Sequence, residues 1–94
     1  MPFQRLTERR DGQAFINTEI LQREETGFTG EAAERLAAFE DVYEHLLQSQ
    51  ETLSAKLEEL RSEGKTRSRQ FKEAMGKKLM NTMILSLLES RGIR

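Results

Sequence analysis

The chain has no cysteine and one histidine among its 94 residues. Without thiols there is no disulfide framework, no thiolate zinc site and no Cys-His nucleophile pair, a composition that fits a reducing compartment. A lone His45 excludes a multi-histidine metal site within one chain. Long apolar runs are also missing: no stretch approaches the roughly 20 residues that span a bilayer. The segment Met1-Pro2-Phe3-Gln4-Arg5 lacks the apolar core of a secretory signal. A cytoplasmic protein that makes no membrane contact is expected. The phosphate-cradling patterns G-x-x-x-x-G-K-[ST] and G-x-G-x-x-G are absent, as is the nucleophile elbow G-x-S-x-G. At this length the chain forms one small domain with a marginal core, so oligomerisation is expected.

What is present in quantity is charge, and it is segregated. The formal net charge is −1, yet residues 18–63 carry twelve acids against four bases, and residues 64–78 carry six bases against Glu73 alone. The chain is electrically polar along its length.

Residues 1–28 form an N-terminal arm. Asp11-Gly12 stands between short runs containing Leu6 and Thr7 on one side and Phe15 and Ile16 on the other, which is a β-hairpin signal because a tight turn needs positive φ. Two strands alone are barely stable in water, so the hairpin must lean on helices; the alternative is an irregular arm. Glu24 to Phe28 reads as a linker.

Residues 29–94 read as a helical hairpin, with helices over about 30–63 and 68–91 and a turn at 64–67. Thr29 is placed to cap the first helix, whose first turn holds Glu31 and Glu34 where the helix dipole favours acids. Leu36, Phe39, Tyr43, Leu46, Gln50, Leu53, Leu57 and Leu60 follow at alternating spacings of three and four, a coiled-coil seam. Val42 and Leu47 broaden its first half. Gln50 occupies an a position and either fixes register through a hydrogen bond or marks a seam that has splayed open. Gly64 ends the helix as a left-handed C-cap, the competing reading being one unbroken helix. In the second helix the apolar residues from Leu79 to Leu88 lie nearly all round the circumference, so several neighbours are expected. Gly92 and Ile93 give its end a Schellman signature. Folded back from Gly64, the second helix reaches about Glu40 at 1.5 Å per residue. That leaves Leu36 and Phe39 to the arm or to a second chain. The fold class is therefore mainly α: an antiparallel, coiled-coil-like helical hairpin with an N-terminal arm, expected to form a homodimer. The oligomer or partner interface falls on Leu36, Phe39, Tyr43, Met80, Met83, Ile84, Leu87 and Leu88.

Candidate chemistry is thin. Asp41 and His45 share a helical face, but a surface ion pair is the commoner use of that spacing. Glu40 with Glu44, and Glu58 with Glu59, could be drawn as acid/base pairs, yet charged helices usually keep such residues in solvent. No catalytic residue, metal or cofactor is expected. The basic stretch Lys65, Arg67, Arg69, Lys72, Lys77 and Lys78 is the candidate for phosphate contact, with Phe71 its sole aromatic for base stacking. The commoner alternative is a solvated tip that pairs with acids on a partner.

Two stretches resemble short proteins of phages and prophages of Gram-positive bacteria. One is Arg5-Leu6-Thr7-Glu8-Arg9 with Asp11-Gly12 and Ala32-Ala33-Glu34-Arg35-Leu36-Ala37-Ala38-Phe39-Glu40-Asp41, similar to their RLTER, DG and AAERLAAYED patterns, with Phe39 in place of the usual tyrosine. The other is Phe71-Lys72-Glu73-Ala74-Met75-Gly76-Lys77-Lys78-Leu79-Met80-Asn81, similar to FKELMGKKLMN. The TGL that often follows the acidic pair is replaced by Val42-Tyr43-Glu44. The resemblance implies a protein that acts in the host cytoplasm by binding a host protein, including anti-CRISPR inhibitors of CRISPR effectors. Glu31, Glu34, Glu40, Asp41 and Glu44 would then form an acidic face imitating nucleic-acid phosphate. The alternative is a nucleic-acid-associated structural protein using the 65–78 basic tip.

Overall fold

The computed structural model describes residues 3–94. Strands β1 (Thr7–Arg10) and β2 (Gln13–Ile16) pair antiparallel, Thr7 opposite Ile16 and Arg10 opposite Gln13. Asp11 and Gly12 both have positive φ, 52° and 82°, which is the backbone a two-residue hairpin turn requires. Arg10 closes the turn region, donating to Glu8 and lying 3.5 Å above the Phe15 ring. The hairpin alternative is thus the one adopted.

The segment expected to be a linker is a second hairpin. After a 3-10 turn over Thr18–Ile20, capped by the Asn17 side chain, β3 (Gln22–Arg23) pairs with β4 (Phe28–Thr29). Glu24 N–H donates to the Gly27 carbonyl at 2.8 Å and closes the loop. Polar composition hid it, because strands of two residues carry no alternation to detect. This hairpin also removes Thr29 from the capping role expected of it: Thr29 lies in β4, and its hydroxyl reaches Glu24 at 3.4 Å. Gly30 stands at the helix start, and its carbonyl accepts from Glu34 N–H.

Helices α1 (Glu31–Ser62) and α2 (Arg69–Ser90) follow. Gly64, at φ 72°, turns the chain. Lys65 N–H donates to the Leu60 carbonyl and Gly64 N–H to that of Arg61, the two bonds of a Schellman stop. The unbroken-helix reading therefore fails. Ser68 restarts the chain as N-cap, its Oγ accepting from Phe71 N–H at 3.1 Å. α2 ends as α1 does, with Ile93 N–H on Leu88 and Gly92 N–H on Glu89.

By its contacts the chain divides into two compact units, residues 1–41 and 42–94. In the second unit Leu46, Leu53, Leu57 and Leu60 of the α1 seam are buried, and Ala74 and Phe71 of α2 pack against Leu53 and Leu57. Between Leu46 and Leu53 lies a polar layer. Gln50 Nε2 donates to Thr82 Oγ1 at 2.9 Å, and Asn81 Nδ2 donates to Ser49 Oγ at 3.1 Å. Of the two readings of Gln50, the bonded one is realised.

The cost of that bond is visible: Gln50 Oε1 is buried without a partner among the described residues. Thr82 also donates to the Lys78 carbonyl, so it stays satisfied if Gln50 goes. Gln50→Leu should raise stability by about 1 kcal/mol while removing the group that specifies register. A urea midpoint that falls would contradict this.

Candidate interaction surface

Within the first unit, Leu6 and Thr7 at the start of the arm, Ile16 of β2, and Ala32, Arg35, Leu36 and Phe39 of α1 line a shallow apolar cleft of about 310 Å³. Arg35 ties the arm to the helix: its guanidinium donates to the Gln4 carbonyl and lies 5.9 Å from the Phe3 ring centre. The arm thus supplies part of the cover expected for Leu36 and Phe39. It leaves Leu36 58% exposed.

The acids expected to act as one face are all exposed. At 3.6 residues per turn, Glu34 and Asp41 fall nearly in line, whereas Glu31 and Glu40, nine residues apart, point to opposite sides of α1. Glu31 also sits 4.0 Å from Arg35. The first turns of α1 therefore present an acidic collar, with Glu34 and Asp41 its one aligned pair. Glu44, in the second unit, continues the helix's acidic run.

The basic stretch divides in the same way. Lys65 pairs with Glu63 at 3.6 Å, and Arg69 pairs with Glu73 at 3.0 Å. Arg67 and Lys72 are exposed beside them. Lys77 and Lys78 do not join this tip. Lys78 is half-buried and lines a cleft with Arg61, Met75, Leu79 and Thr82. Lys77 lines a different cleft with His45, Ser49, Thr52 and Leu53. Among the described residues no three His, Asp or Glu side chains gather where a metal could be held.

The second helix carries the main apolar surface. Phe71, Ala74, Lys78, Asn81, Leu85 and Leu88 are the buried or half-buried positions of α2, a three-four repeat that marks the side facing α1. Tyr43 is half-buried. Leu88, named for an oligomer or partner interface, is half-buried and falls within this repeat. Met75, Leu79, Met80, Met83, Ile84 and Leu87 remain exposed, Met83 by 65%. Among the described residues of the second unit nothing covers these side chains on the several sides expected. Val42 and Leu47 are likewise exposed on α1.

What the sequence reading missed is the pattern within that apolar excess. Gly76, Met80, Met83 and Leu87 recur at spacings of four, three and four along the side opposite the inner repeat, a second seam on the same helix. Two overlapping repeats produce the all-round apolar character, and sorting by heptad position would have separated them.

No family model, curated protein or solved structure matches this chain. No helix among the described residues is long and apolar enough to cross a membrane.

Proposed function

We propose that the chain is a non-catalytic interaction protein, working by presenting helical surfaces to other proteins. The observation that carries this reading is the exposed row of six apolar side chains on α2. Contiguous apolar surface of this kind, rimmed by charge, marks a protein contact. Its methionines adapt readily to a partner.

The resemblance to phage and prophage proteins gives the reading a setting. The partner would be a host protein, in its most specific form a CRISPR effector whose nucleic-acid channel is basic. The acidic collar on α1, centred on Glu34 and Asp41, supplies the charge for such a channel. The salt pairs within the basic tip weigh against the nucleic-acid reading, because Glu63 and Glu73 already neutralise part of the charge that phosphate would meet.

Both readings are tested with immobilised chain and purified effector nucleases, alongside bulk DNA and RNA across a salt series. The proposal expects an effector to be retained by wild-type chain and lost with Glu34→Lys plus Asp41→Lys. Retention of nucleic acid falling steeply with salt, and abolished by Arg67→Glu with Lys72→Glu, would replace it with the structural alternative.

A further inference from the structure

We propose that the outer seam of α2 is the contact for a second copy of this chain, lying antiparallel and centred between Met80 and Met83. The inference rests on the reading of the protein as an interaction module and says what occupies its principal apolar face.

Gly76 sits inside α2, where glycine costs about 1 kcal/mol relative to alanine. Nothing within the chain requires it: φ is not positive, and a Cβ built there would meet no atom within 4 Å. A glycine without an internal reason, on the side of the helix opposite its intramolecular partner, is explained by an external group that needs the room.

The seam also has the symmetry that pairing with itself requires. A two-fold contact is self-complementary, so each residue must meet its mate's counterpart. With the axis between Met80 and Met83, each of those methionines faces the other from the opposite copy. Leu79 and Ile84, five residues apart, stand on opposite flanks of the seam and edge the contact on its two sides. Leu87, the largest side chain at one end, falls over the second copy's residue 76, the glycine at the other end. The seam has its knob and its hole about 16 Å apart, where a two-fold needs them.

Charge fits the same register. Arg91, the C-cap just past Ser90, lies eighteen residues from Glu73, five turns along the line of α2, and so falls on the same flank of the seam. In the same antiparallel register Glu73 comes beside residue 91 of the second copy, an arginine. Each dimer therefore gains two opposite-charge pairs at the rim of the contact. A parallel pairing would instead set Glu73 against Glu73 and leave Gly76 facing Gly76, with neither cavity filled. Leu79, Met80, Met83, Ile84 and Leu87 are each 41% to 65% exposed, on the order of 500 Å² of accessible area per copy, and a pair that covers most of it approaches the roughly 1,200 Å² lower end of specific interfaces.

The absence of cysteine makes the register directly testable in the full chain. Chains carrying Gly76→Cys with Leu87→Cys, mildly oxidised with glutathione disulfide, should cross-link into dimers, while either single variant should not. In parallel, sedimentation equilibrium should give a mass of two chains. Glu73→Arg or Arg91→Glu alone should weaken the dimer by several-fold to tenfold, and the two together should restore it. Met80→Glu with Met83→Glu should give a monomer that keeps its helical circular dichroism, because both side chains are exposed in the single chain. A wild-type monomer at tens of micromolar overturns the inference. So does a dimer whose Gly76→Cys chain cross-links with itself, or one that the charge swap fails to restore. Failure here is distinguishable from failure of the proposed function, since effector retention is read through Glu34 and Asp41, which lie outside the seam.

Discussion

Replacing Leu57 with alanine should cost between about 2 and 5 kcal/mol and unfold much of the helical hairpin near room temperature. Leu57 is 1% exposed, the most deeply buried large side chain among the described residues. It packs with Leu53, Ala74 and Phe71, and Ala74, directly against it, has no side-chain reach with which to refill the space. Few buried residues support the second unit, so a loss of this size is a large share of the total, given that small domains are stable by only about 5 to 15 kcal/mol. Helical circular dichroism followed through a urea titration gives the measurement, and Leu47→Ala is its control. Leu47 belongs to the same helix but is exposed, so its loss should change the midpoint little. Equal effects at the two positions would mean that α1 and α2 do not pack as a hairpin.

That contrast also shows what sequence periodicity can and cannot resolve. The α1 seam was legible because one repeat dominates it, and the residues at its a and d positions from Leu46 to Leu60 are those that become buried. Gly64 and Gly92 were legible because a left-handed stop has a residue of its own and a fixed bond pattern to go with it. On α2 the apolar residues are too many for a single repeat. Two seams on opposite sides of one helix add up to an all-round pattern, and hydrophobicity alone does not say which seam closes within the chain. The intramolecular choice was made by Ala74, Asn81 and Lys78, none of them strongly apolar: Ala74 lets the helices approach Leu57, and Asn81 answers Ser49. The candidate acidic face was legible as a composition but not as a surface, because residues 31 to 41 wind through three turns and distribute their acids around the helix.

The start of α1 is where the sequence reading was corrected most, and it yields a second prediction. Gly30→Ala should destabilise the first unit by about 2 to 4 kcal/mol while leaving residues 42–94 folded. Two independent costs add at this position. Gly30 has φ 114°, outside the range that a residue with a Cβ adopts without strain. A Cβ there would also stand 2.7 Å from the Ile20 carbonyl oxygen and 3.2 Å from the Leu21 Cα. Both obstacles are backbone, so no side chain can rotate away to relieve them, and the 3-10 turn over Thr18–Ile20 would have to move from the helix start. Hydrogen exchange should then accelerate across β1 to β4 and trypsin should cut sooner after Arg9, Arg10 and Arg23, while protection of the amides around Leu57 is unchanged. Gly27→Ala is the matched control in the neighbouring hairpin loop, since a Cβ at Gly27 meets nothing within 4 Å. If both substitutions left the arm equally protected, the arm would not be seated on the start of α1. If Gly30→Ala also released the amides around Leu57, the two units would unfold together, and the hairpin of α1 and α2 would depend on the arm for its stability.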